Sequence, residues 1–174
     1  MRLLESATIA ALVGALILLV VEVPHLENTR DGLRFAVLAA LGGGLLAFLP
    51  VRVLGRSPAY AALPRGKRRA LRACIVLTCA LMTTSLSSLA NRVLAPSTAY
   101  AATYTLAGKG RSPVGRQGRA EWYLFIETPS RTERVIVDRE FWDTVGVGET
   151  IELLEQPSFL GYPYIAAYRR ALRR

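Results

Sequence analysis

The chain has 174 residues, 52% of them hydrophobic, with a positive mean hydropathy of +0.30 and a formal net charge of +9. That is room for one modest domain, or for a few membrane spans with a small domain beside them, and for nothing larger. The charge is uneven: residues 1–95 hold 11 Lys and Arg against four acids, whereas residues 96–174 hold 11 against nine. The excess thus sits among apolar segments, where membrane insertion explains it better than nucleic acid does, and no nucleic-acid motif accompanies it.

The first apolar run, Ala7 to Val21, extends to Leu3 and Val23 if Glu5 and Glu22 sit at the two interfaces. About 20 residues cross a hydrocarbon core, so a transmembrane helix is expected over about 4–23. No small-x-small site follows it, which favours a retained helix over a cleaved signal peptide. Glu22 to Arg34 then reads as a polar connection. A second helix is expected over about 33–53, with Gly42 to Gly44 in its middle, tolerated in lipid because a glycine lets a neighbouring helix approach.

Val51 to Arg72 carries seven cations and no acid. Arg65, Lys67, Arg68, Arg69 and Arg72 dominate the expected loop 54–71 and are read as the topology determinants, because the Lys- and Arg-rich connection stays in the cytoplasm. The third helix is expected over about 72–94. Cys74 and Cys79 fall within it and read as small buried hydrophobes, not as a disulfide. The three runs offer small residues at intervals of four: Ala11 and Ala15, Gly43 and Ala47, Thr84 and Ser88. These are the expected packing positions of a three-helix transmembrane bundle.

Residues 97–174 change period. Tyr100 to Leu106, Ala120 to Thr128, Thr132 to Asp138 and Glu149 to Glu155 read as strands, with a helical turn at Arg139 to Val145. Ala120 to Thr128 is expected to be central and covered on both faces. Gly108 to Gly118 and Pro157 to Tyr164 read as loops. Four or five short strands in this length suit a small SH3-like or OB-like β-barrel or a curled antiparallel sheet.

The stretch REFWDTVGVGETIELLEQPSFLGYPYI, with its VGxGExIEL turn and GYPY, resembles a pattern in small bacterial inner-membrane proteins that pair a few N-terminal transmembrane helices with a compact external β-domain of unknown function. The resemblance covers about residues 98–168. It implies the architecture and carries no catalytic residue.

The residues themselves point away from an enzyme. His25 stands alone with Glu22 and Glu27, too few ligands for zinc, and no nucleophile motif uses it. Glu149, Glu152 and Glu155 read as solvated strand positions. The loop GKGRSPVGRQG lacks phosphate-loop order, and no ionisable residue is expected at mid-membrane depth, which disfavours transport. No cofactor is expected.

Binding surfaces are expected at the aromatic loop of Phe159, Leu160, Tyr162 and Tyr164 and at the basic loop of Lys109, Arg111 and Arg116. The sequence-level reading is a non-enzymatic inner-membrane protein with a cytoplasmic N-terminus and a periplasmic β-domain that binds a protein partner, an immunity protein being the concrete form. An accessory subunit of a cell-envelope complex, working through its membrane helices, is the alternative, with a lipid-directed enzyme third. The expected partners are the bilayer and a protein; a homo-oligomer is compatible with the small-residue ridges.

Overall fold

The computed structural model describes residues 2–96, 98–113, 120–129 and 131–171, with side chains from Glu5 onward. It separates into two compact units, residues 1–26 with 33–90, and residues 27–32 with 91–174.

The first unit is helical: α1 (Arg2–Glu27), α2 (Gly32–Leu46), α3 (Phe48–Gly55), α4 (Pro58–Ala61) and α5 (Arg65–Val93). Three stretches are long and apolar enough to cross a membrane, Glu5–Glu27, Gly32–Gly55 and Arg65–Val93, so this is a membrane protein. The expected boundaries shift in two places. Helix α1 runs on through Pro24 to Glu27, because losing one backbone donor near a helix end does not stop a helix that its apolar face holds in place. Helix α5 starts at Arg65 instead of 72, so Arg65, Lys67, Arg68, Arg69 and Arg72 lie on its first turns and not in a loop. The middle span is interrupted at Ala47, three residues before Pro50. Pro50 cannot donate to the Leu46 carbonyl and its ring crowds that group. The neighbouring bonds Ala47 N to Gly43 O (3.0 Å) and Val51 N to Ala47 O (3.1 Å) persist.

Small residues let α2 meet α5. A Cβ on Gly43 would lie 2.5 Å from the Cys79 carbonyl oxygen and 2.8 Å from the Ala80 Cα, and the Thr84 hydroxyl donates to Ala80 O at 2.9 Å and, across the helices, to Ala36 O at 3.5 Å. Helix α1 meets α5 at Lys67 Nζ to Glu5 (3.1 Å) and at Ser88 Oγ to Glu22 (2.8 Å). Both pairs ascend in chain order, so α1 and α5 run parallel. Ala15, Gly43, Ala47, Thr84 and Ser88 are buried, whereas Ala11 is exposed. At the basic corner, Tyr60 packs with Leu63 and Leu71; its hydroxyl accepts from Arg72 Nε at 2.6 Å and donates to Arg68 O at 3.2 Å.

The second unit holds β1 (Tyr100–Ser112), β2 (Glu121–Glu127), β3 (Thr132–Val137), α6 (Arg139–Thr144), β4 (Thr150–Gln156) and β5 (Tyr164–Arg170). They form one antiparallel sheet in the order β3-β2-β1-β4-β5. Strand β1 is shared: Tyr100 to Thr105 pairs with β4, and Leu106 to Ser112 pairs with β2 after an irregularity between Leu106 and Gly108. Such a bulge bends a strand and increases its twist, which turns the two halves of β1 toward different partners. Strands β3 and β5 remain the two edges, so the barrel is not closed.

Alternation builds the core. Leu124 and Ile126 of β2, Val135 and Val137 of β3, Ile151 and Leu153 of β4 and Leu106 of β1 are buried together with Val145, and Trp122, Phe141, Trp142 and Tyr168 pack against them. The alternate β2 residues Tyr123 and Phe125 stand half-exposed, edge to face at 5.3 Å. Strand β2 is therefore covered on one face, not two. Among the segments expected to be loops, Gly108 to Ser112 is strand, and β5 begins at Tyr164.

Candidate functional site

Residues 28–31, the short connection between the first two spans, belong to the β-unit. Thr29 forms an antiparallel bridge with Tyr164, Arg30 N donates to Pro163 O at 2.8 Å, and Ile165 N donates to Asn28 O at 2.8 Å. The connection therefore pairs, through an isolated bridge, with the free edge of β5. Asp31 then adopts a positive φ of 57°, a conformation that Asp tolerates better than most residues, and its carboxylate pairs with Arg131, next to β3. A four-residue segment links the two strands that leave the barrel open.

Arg30 is the centre of this link. Its Nη1 lies 3.3 Å from both carboxylate oxygens of Glu155 and donates to the Tyr104 hydroxyl at 2.7 Å; its Nε lies 3.4 Å from Glu133. Tyr104 and Tyr100 in turn donate to Glu155 at 2.6 and 2.8 Å. Glu155 is 0% exposed and Glu133 9%. An ionised carboxylate in such a place is tolerated only when paired and hydrogen-bonded. Burial draws the Arg30 guanidinium down, but Glu155, Tyr104 and Glu133 outweigh it and the net shift is upward. Burial, then the bond to Glu155, pushes both tyrosine hydroxyls above their ordinary value.

The opposite end of β1 carries cations over aromatic rings. Lys109 Nζ donates to Val145 O at 2.8 Å and lies 3.9 Å from the Trp142 ring centroid. Arg111 and Arg139 both lie over Trp122, at 4.8 and 5.6 Å, and the two indoles meet at 4.7 Å. Asp138 caps α6: its Oδ1 accepts from Phe141 N at 2.7 Å and its Oδ2 from the Tyr168 hydroxyl at 2.7 Å. Those two donors, the amide first, hold the Asp138 carboxyl below its ordinary value.

The structure divides the sequence-predicted binding residues. Lys109 is half-buried and engaged within the unit, Arg111 is exposed over Trp122, and Arg116 lies outside the described residues. Phe159 and Leu160 are exposed, while Tyr162 and Tyr164 are half-buried in backbone contacts. Glu149 and Glu152 pair with Arg170 and Arg169 at the edge, but Glu155 is in the core, against the expectation of a solvated position. Parity carried that signal, since Glu155 shares a face with Ile151 and Leu153, and Glu133 with Val135 and Val137.

In the helical unit, Glu22 is 2% exposed within the apolar stretch Glu5–Glu27 and accepts from Ser88. Among the described residues, no group of three or more His, Cys, Asp or Glu could hold a metal ion. No protein-family model matches the chain, and no curated protein matches it significantly in sequence.

Proposed function

We propose that this is a bacterial inner-membrane protein with a cytoplasmic N-terminus, whose β-unit lies outside the membrane and binds a protein partner without catalysis. The orientation rests on charge. Helix α5 opens with cations and no acid in its first turn, a placement that the helix dipole opposes by about 0.3–1 kcal/mol each, so these residues do not serve helix stability. Retention on the cytoplasmic side accounts for them. The observation that carries partner binding is the Trp122 and Trp142 pair with Arg111 and Arg139 above it. Trp and Arg are the residues in which protein interfaces are enriched. Within the architecture, β1 shared between β2 and β4, with α6 between β3 and β4, supports the OB-like over the SH3-like form of the sheet.

The concrete form is an immunity protein: small, anchored, and acting by occupying a toxin. Deleting its gene alone then poisons the cell, and Arg111→Glu fails to rescue where the wild type does. A harmless deletion in cells that express the neighbouring genes would contradict this form.

A second reading, an accessory subunit of an envelope complex working through its membrane helices, has its own support. Ala7, Ala11 and Gly14 on α1 are exposed, and nothing lies within 4 Å of a Cβ built on Gly14. Ala11→Leu and Gly14→Leu then break a complex while leaving the chain folded; if only substitutions in the β-unit impair the cell, this reading fails.

A further inference from the structure

The loop between β4 and β5 presents Phe159 and Leu160, 62% and 42% exposed, although their unit has a core of its own. Exposure of two adjacent large apolar residues is not due to slack in the loop, because both flanks are fixed. On one side, Asn91 makes three contacts: its carbonyl accepts from Phe159 N at 3.4 Å, its Oδ1 accepts from Leu160 N at 3.0 Å, and its Nδ2 donates to Tyr162 O at 3.0 Å. On the other side, Pro163 O and Ile165 N bond to Arg30 and Asn28.

Those anchoring residues have a particular place in the chain. Asn91 lies in the last turn of α5, within the apolar stretch Arg65–Val93, and Asn28 directly follows α1, whose apolar stretch ends at Glu27. The loop is therefore bonded, at both flanks, to residues at the ends of two of the stretches that are long and apolar enough to cross a membrane. Val93 and Leu94, which follow Asn91 and Arg92, are exposed and apolar as well. Phe and Leu side chains of interfacial segments bury into the boundary between headgroups and acyl chains.

We infer that the tip of this loop inserts into the lipid headgroup region, with Phe159 and Leu160 as a peripheral membrane anchor of the β-unit. Each side chain contributes by moving its exposed apolar surface out of water, and Asn91 is the positioning residue that keeps the tip in the required conformation. The occupant is the bilayer surface itself, which leaves the Arg111 and Trp122 end of β1 for the partner proposed above. The inference does not depend on that proposal.

The test uses the full chain, with Cys74 and Cys79 replaced by Ala, reconstituted into phosphatidylcholine and phosphatidylglycerol vesicles. A nitrobenzoxadiazole label is placed at Phe159→Cys, at Leu160→Cys and, as a reference, at Ala166→Cys on the exposed side of β5. Labels at 159 and 160 are expected to be quenched severalfold more by lipids carrying a doxyl group near the headgroup than the label at 166, and to be shielded from aqueous iodide. Equal iodide quenching at all three positions would overturn the inference. Shielding from iodide without lipid quenching would overturn it too, since it would mean that a second copy of the chain covers the loop. Near-ultraviolet circular dichroism of each variant establishes that the β-unit is folded. In a further variant, Asn91→Ala with the label at 159, lipid quenching falls while that spectrum is retained.

Discussion

Arg30 and Glu155, 125 positions apart, meet with the guanidinium Nη1 3.3 Å from both carboxylate oxygens. One belongs to the connection between two membrane spans and the other to the end of a core strand. Their meeting makes that connection a component of the β-unit.

Breaking this pair is expected to destabilise the β-unit unequally from its two sides. Glu155→Leu leaves Arg30 and two tyrosine hydroxyls without their acceptor, a loss of about 3–5 kcal/mol. Arg30→Met leaves Glu155 with two hydroxyl donors but no cation and is the costlier change, because Glu155, unlike Arg30, has no exposure to water. The double variant loses less than the sum of the two, as residues in one network do. Denaturant unfolding of the solubilised chain, followed by near-ultraviolet ellipticity, measures all three.

The tyrosines set an alkaline limit. Tyr100, Tyr104 and Tyr168 all lie above their ordinary value of 10.0, burial being the first cause in each. A folded value above the unfolded one stabilises fully below about pH 10 and is lost as the pH rises through the raised value. Tyrosinate absorbance is expected to show these three ionising above their ordinary value, together with loss of near-ultraviolet ellipticity. Tyr104→Phe weakens the fold at neutral pH and makes the alkaline decline shallower.

The acid limb has the opposite sign. The Asp138 carboxyl is held down by the Phe141 amide and then the Tyr168 hydroxyl, so its contribution is present above its ordinary value of 3.8 and lost as the pH falls through the lowered one. Asp138→Asn keeps a cap and loses the charge; its stability deficit is expected to shrink toward zero under acid. Asp138→Ala loses the cap as well, about 1 kcal/mol at neutral pH.

Gly43 tests the helical unit. Gly43→Leu meets α5 backbone at Cys79 and Ala80, so the helices must separate, at about 1–3 kcal/mol by analogy with overpacked cores. A Cβ built on Gly42 or Gly44 meets nothing within 4 Å, and Gly42→Ala and Gly44→Ala are expected to leave the midpoint of unfolding in detergent unchanged.

Local patterns made much of this legible. The apolar runs are long enough to be read singly, and strands β2, β3 and β4 follow alternations that one segment contains. Strand β5 was hidden because Ile165, Ala166, Ala167 and Tyr168 do not alternate, and its pairing with β4 and Thr29 supplies what its own sequence lacks. Arg30 was illegible as a site residue because all its partners are distant in the chain. Ala11 fell off the packed face because a step of four residues overshoots one helical turn by about 40°. Glu155 looked solvated by residue type, although its parity placed it with the core.

The proposed topology puts the β-unit outside the membrane and the basic corner at Tyr60 in the cytoplasm. Single cysteines at Ala61 and Ala166, both exposed, in a chain whose Cys74 and Cys79 are replaced by Ala, test it in intact spheroplasts with a membrane-impermeant maleimide. Position 166 is expected to be labelled at once and position 61 only after lysis. Labelling of both positions before lysis, or of 61 alone, would contradict it.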